Sequence, residues 1–279
     1  MHDKSTVPDF HPQWDLPSTQ LKSAYLICTT PRTGSNLLAF SLAQQGVGVP
    51  IEYLNLLGNG STQQFYNRVT MRDFKSDIDN GLSPMEIGST YLPQIVQHRT
   101  TPNGIFGMKV FAHHFTNLFG DADISILTPM IGGAPKLIHL VRENLIELTV
   151  SFIMARNSQI WHSEMTPDKS RKTAYSFNSF FETMLDLNAV QNKWSVILNR
   201  QPQHNILRVT YKQLSDNYTD TMQRVNDFLN ITDTEIPPPP IQRQSSAEKR
   251  FLIEQFTKDC RLNARQVRTA LQKAKNKYR

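Results

Sequence analysis

The chain has 279 residues, 39% of them hydrophobic and 19% charged, enough apolar material for a sizeable core and unlike a disordered, collagenous or fibrous protein. Its two cysteines, Cys28 and Cys260, are too few for a disulfide framework or a cysteine zinc site, so a reducing, cytoplasmic setting is expected. The net charge of +6 is uneven: from Arg243 onward 11 Lys and Arg stand against 3 Asp and Glu, a balance of +8 that leaves the rest near −2.

Residues 1–23 are polar, carry no apolar signal segment, and read as an N-terminal extension. No stretch approaches the roughly 18 uninterrupted apolar residues of a membrane helix, so a soluble protein without a membrane span is expected. AYLICTT (24–30) is a short apolar run rich in β-formers, bounded by Pro31, and reads as a buried strand. The helix formers of NLLAFSLAQQ, from Asn36 to the stop at Gly46, predict a helix straight after it. Residues 56–103 are polar and read only as helical excursions.

IFGMKVFA (105–112), KLIHLV (136–141) and NILRVTY (205–211) read as further strands. Helices are expected from Leu145 to Asn157, Phe177 to Leu198 and Asp220 to Leu229. Strands alternating with helices give an α/β class: one domain with a mostly parallel sheet flanked by helices. Pro237 to Pro240 reads as a stiff connector inside a domain spanning 24–260, and 261–279 as a basic C-terminal helix or tail. That tail is either a solvated helical face or an electrostatic handle for a nucleotide, a nucleic acid or an acidic membrane surface.

The loop Thr30-Pro31-Arg32-Thr33-Gly34-Ser35-Asn36 presents a cation, a glycine and small polar residues at a helix start. Gly34 permits close backbone approach, while the helix N–H groups and dipole favour a bound anion. Arg32 offers a fork of donors, and Ser35 and Asn36 add side-chain hydrogen bonds. The spacing is not that of a nucleoside-triphosphatase loop, because GxxxxGK followed by Ser or Thr is absent. Without further context the Gly-Ser pair also suits a plain helix cap.

YLICTTPRTGSNLLAFSLAQQGVGVPIEYLN resembles the opening of the trehalose 2-sulfotransferase family of P-loop sulfotransferases. RTTPNGIFGMKVFAHH (99–114), IHLVRENLIELTVSFIMARNSQIWH (138–162), VTYKQLSDN (209–217) and PPIQRQSSAEK (239–249) resemble later blocks in the same order. The resemblance implies the P-loop nucleotide-binding sulfotransferase fold. It also implies transfer of a sulfuryl group from 3′-phosphoadenosine 5′-phosphosulfate (PAPS) to a hydroxyl of a small carbohydrate or glycolipid acceptor, without a metal.

It further implies that Arg32, Thr33, Gly34, Ser35 and Asn36 hold the 5′-phosphosulfate, that Arg142 and Ser151 hold the 3′-phosphate, and that Glu52 is the general base. Arg243, with Gln244, resembles the late loop that closes over the nucleotide, and similar proteins are homodimers. Arg32 stands where most sulfotransferases have lysine; a guanidinium does not release its proton at neutral pH, so its role is electrostatic stabilisation.

His113 and His114, read as the end of the second strand, compete with Glu52 for the base role. Neighbouring strand residues face opposite ways, which argues against a metal shared by the pair. Lys109, Trp161 and His162 are further candidates for the acceptor cleft. Two other classes stay open: a catalytically inactive relative that binds the nucleotide, and a nucleic-acid-binding protein using the basic tail. For the latter no recognised binding module is present, so no nucleic-acid partner is expected.

Overall fold

A computed structural model describes residues 8–161, 172–232, 234–242 and 246–276. Four strands, β1 (Ser23–Thr29), β2 (Ile105–Phe111), β3 (Lys136–Val141) and β4 (Ile206–Thr210), form one parallel sheet in the order β2-β1-β3-β4. Around it lie α1 (Ser35–Gln44), α2 (Gly60–Thr70), α3 (Phe74–Asp79), α4 (Pro84–Arg99), α5 (Ala112–Phe119), the single turn α6 (Thr128–Ile131), α7 (Leu145–Ser158) and α8 (Phe177–Leu198). The remaining helices are α9 (Tyr211–Asp216), α10 (Tyr218–Leu229), α11 (Ala247–Leu262) and α12 (Ala264–Asn276). The polar stretch that the sequence left as helical excursions is α2 to α4. Among the described residues no helix is long and apolar enough to cross a membrane.

Period-2 alternation sorts the strand side chains between two layers. Leu26, Cys28, Phe106, Met108 and Leu137 face the larger core, with α4, α5 and Trp194 of α8. Tyr25, Ile27, Ile138, Leu140 and Val209 face the second, with Leu38 and Leu42 of α1 and Met222 and Val225 of α10. A third cluster joins α7, α8 and α11, and buries Val267 of α12 against them.

Parallel strands share one carboxyl edge. Because the chain steps from β1 outward to β2 and then back across to β3, the crevice of such a sheet opens where β1 and β3 end. Edge strand β2 is nonetheless buried along its whole length, covered by the segment around Ile51, whose carbonyl accepts from the backbone N–H of Lys109 at 3.0 Å. That bond anchors the residue before Glu52.

His113 and His114 lie in the first turn of α5, not at the end of β2 as the sequence suggested. The ladder ends at Thr29↔Phe111; beyond it β1 turns into the loop, so the chain has no strand partner and winds into a helix. The two rings end up 4.2 Å apart at their centroids.

Candidate active site

One cleft of about 1400 Å³ opens on the carboxyl edge of the sheet and is lined by residues from all four strand ends. Its floor is the turn after β1. Thr33 Oγ1 lies 2.5 Å from Thr29 Oγ1 and 2.9 Å from the Thr30 carbonyl that accepts its bond. Trp194 Nε1 donates to the Thr29 carbonyl from below at 2.7 Å. Arg32 sits at φ 66° and Gly34 at φ 85°, so two left-handed residues fold the turn tightly. Gly34 is also the N-cap of α1 and has no side chain to satisfy the first-turn N–H groups, which leaves them to an anion.

The Arg32 guanidinium reaches across to α7, where Nε donates to Ser151 Oγ at 3.1 Å, and to the chain just past that helix, where Nη1 donates to the Trp161 carbonyl. Arg142, the first residue beyond β3, is 4% exposed. Its Nη1 donates to the Arg32 carbonyl at 3.2 Å and its Nη2 pairs with Glu147 at 2.7 Å. Its Nε is buried without a hydrogen-bond partner. Glu147 is held in turn at the α7 N-terminus, where its N–H donates to Asn144 Oδ1 at 3.1 Å. Burial first, and then the neighbouring Arg142, pushes the Arg32 guanidinium down to about 10. Two cations crowded together with an orphaned N–H fit an anionic group better than any neutral ligand.

Tyr211, absent from the sequence candidates, packs its ring 4.2 Å from the Arg142 guanidinium carbon. A capping box pins it: Gln213 N donates to Thr210 Oγ1 at 3.1 Å while Thr210 N donates to Gln213 Oε1 at 2.9 Å. The same ring lies against Gly34, where an added Cβ would come within 2.9 Å of Tyr211 Cδ2. The signal was an aromatic residue one step past a strand, a position that α/β sheets use for ligands.

Lys109, 5% exposed, brings loop and glutamate together. Its Nζ pairs with Glu52 Oε1 at 2.9 Å and donates to Asn36 Oδ1. His113 and His114 line the same cleft. Burial lowers the proton affinity of both, to about 3 for His114, with His113 and Lys109 adding to it. In both, burial disfavours the charged imidazole.

Of the predicted residues, Arg32, Gly34, Ser35, Asn36, Glu52, Arg142 and Ser151 meet in this one cleft; Thr33 lies fully buried under the turn. Arg243, Gln244 and His162 fall outside the described residues, although Ile241, Gln242 and Lys249 on either side of Arg243 line the cleft. Among the described residues no group of three or more His, Cys, Asp or Glu could hold a metal.

A part-buried cationic turn with a carboxylate tied to it by one lysine suits an anionic ligand. The chain belongs to the Stf0 sulphotransferase family, whose model matches residues 24–259, and so it is an enzyme that transfers a sulfuryl group. It is 24% identical to the trehalose 2-sulfotransferase of Mycolicibacterium smegmatis over 85% of this chain and 95% of the relative. To the trehalose 2-sulfotransferase of Mycobacterium tuberculosis it is 23% identical over 83% and 93%. Among solved structures, the sulfotransferase domain of the Synechococcus PCC 7002 olefin synthase aligns over 88% of this chain and 98% of its own, with a TM-score of 0.44 and 15% identity.

Proposed function

We propose that the chain moves a sulfuryl group from PAPS to a hydroxyl of a carbohydrate acceptor. PAPS supplies the activated sulfuryl group and the nucleotide leaving group. The turn amides, Thr33, Gly34, Ser35 and Asn36 hold its 5′ end, while Arg142 and Ser151 hold the 3′-phosphate. Arg32, bonded to Ser151 and beside Arg142, stabilises the charge that grows on the departing phosphate. Arg243 is assigned to the nucleotide by the family resemblance alone.

Glu52 accepts the acceptor's proton, and Lys109 holds it aimed at the loop. The observation that carries this reading is the Lys109 ammonium, which touches Glu52 and the Asn36 side chain at once. Phe111, Trp161, Asn55, Asn59 and Asp186 line the same cleft and supply aromatic and hydrogen-bonding groups for a sugar. The names of the two mycobacterial relatives support trehalose or a related glycoside. The buried, free Cys28 and Cys260 suit the cytoplasm, and the family resemblance favours a homodimer.

The test is transfer of label from [35S]PAPS to a panel of sugars and glycolipids, alongside calorimetry with the desulfated nucleotide. Arg32→Ala should lose roughly 10²-fold or more in rate. No transfer and no nucleotide binding by the wild-type chain overturns the reading; tight nucleotide binding without transfer to any acceptor reduces it to a sensor.

A further inference from the structure

The cleft has a wall that lies ahead of the residues matched by the family model. Pro8, Asp9 and Phe10 form it, and Glu52, Asn55 and Asn59 line the same cleft. The Phe10 ring stands edge-on to Tyr53, the residue after Glu52, at 6.1 Å, and lies 5.6 Å from Phe65 of α2. Trp14, four residues on, is buried and fastens the segment to the body of the protein.

An unusual amount of charge holds this short segment. Arg99, at the end of α4, is fully buried; it pairs with Asp15 at 3.1 Å and donates to the carbonyl oxygens of Asp9 at 3.0 Å and His11 at 3.4 Å. Arg68 of α2 pairs with the same Asp15 and donates to the Phe10 carbonyl at 3.0 Å. Both guanidinium carbons lie over the Phe65 ring, at 5.0 and 4.7 Å. Burying charged groups costs free energy that apolar packing would avoid; what the ions add is a defined position for the backbone they grip. Three consecutive carbonyls, those of residues 9 to 11, are held by these two arginines. The gripped segment is the one that faces the cleft.

We propose that residues 8–10 are the acceptor-side wall of the active site and that Phe10 is a specificity-determining residue, held in place by the Arg68–Asp15–Arg99 clamp. The inference rests on the reading of Glu52 as the base for a carbohydrate hydroxyl. Glu52 fixes where the reacting hydroxyl sits, and Phe10, packed on the next residue, meets the body of the same molecule. A half-buried aromatic ring favours an acceptor with an apolar C–H face of its own, as a pyranose ring has, over an acyclic polyol with hydroxyls all round. Asp15 is a positioning residue, since it does not line the cleft.

The experiment compares wild type, Phe10→Ala, Phe10→Trp and Asp15→Asn, with trehalose and glucose as ring acceptors and sorbitol as the acyclic one. Calorimetry with desulfated nucleotide and a thermal melt accompany each variant. Phe10→Ala should raise KM for ring acceptors about tenfold and lower the ring-to-acyclic ratio of kcat/KM by a similar factor. Its kcat and nucleotide affinity should stay within about twofold of wild type. Phe10→Trp should restore the ratio, and Asp15→Asn should move it in the same direction as Phe10→Ala.

A merely structural role would lower kcat/KM for every acceptor by one common factor and leave the ratio where it was. An unchanged ratio in both Phe10→Ala and Asp15→Asn overturns the proposal; should Asp15→Asn fail to fold, an unchanged ratio in Phe10→Ala does so by itself. A wild-type chain that neither binds the nucleotide nor transfers the group fails earlier, at the assigned function, and is told apart by that calorimetric trace.

Discussion

Gly34→Ala tests whether the turn after β1 is shaped for its ligand. Gly34 has φ 85°, and a Cβ there would lie 2.9 Å from Tyr211 Cδ2 and 3.3 Å from Cε2. Alanine in the left-handed region costs about 1 kcal/mol relative to glycine. Driving a methyl into a packed ring adds about 1–3 kcal/mol, so the loss of stability should be about 2–4 kcal/mol. For a domain of this size that lowers Tm by about 4–10 °C.

The strain falls on the turn amides that the proposed function gives to the nucleotide, so affinity for the desulfated nucleotide should drop by about 10²-fold, read by calorimetry. Gly46→Ala is the control. Gly46 has φ 72° with nothing within 4 Å of its added Cβ, so only the cost of about 1 kcal/mol should appear, with nucleotide affinity unchanged. Tyr211→Leu in the Gly34→Ala background should recover about 1 kcal/mol or more of coupling, since the two changes relieve one contact. If Gly34→Ala and Gly46→Ala lose equal stability and both bind the nucleotide as wild type does, the shape argument is wrong.

Glu52→Gln should reduce kcat by about 10²-fold or more while nucleotide affinity holds, measured by label transfer and calorimetry. Arg142→Met should weaken nucleotide binding by about 10²-fold, because the buried guanidinium is the larger contributor, and Ser151→Ala by about fivefold. His114 has its proton affinity lowered from 6.5 to about 3 by burial, by His113 and by Lys109. The unfolded chain therefore takes up a proton below pH 6.5 that the folded chain refuses. Its contribution to stability is complete above that pH and is lost as pH falls from 6.5 toward 3. His114→Asn should flatten the fall of Tm across that window. His139, lowered to about 4 chiefly by burial, retains a share of the slope in the variant.

Local patterning made the architecture legible. β1, β2, β3 and β4 lie within a residue of the apolar runs read from the sequence, because a buried parallel strand is a short β-branched run between turn formers. The cationic, glycine-bearing turn was readable for the same reason, its residues being consecutive. The histidine pair was misplaced because the end of β2 depends on where β1 stops offering a ladder, which no run of residues in β2 records.

Residue type, order and period determined by themselves that a cationic, glycine-bearing turn would stand between a first strand and a first helix, and that strands and helices would alternate. The strand order β2-β1-β3-β4, the meeting of Lys109 with Glu52 and Asn36, the Tyr211 ring against Gly34, and the wrap of Phe10 onto Tyr53 were decided only by the tertiary structure. Each joins residues far apart in the chain. Such contacts arise from the register of parallel strands and the packing of layers across the sheet, whereas a periodicity of two or 3.6 residues reports only which face of its own element a side chain occupies.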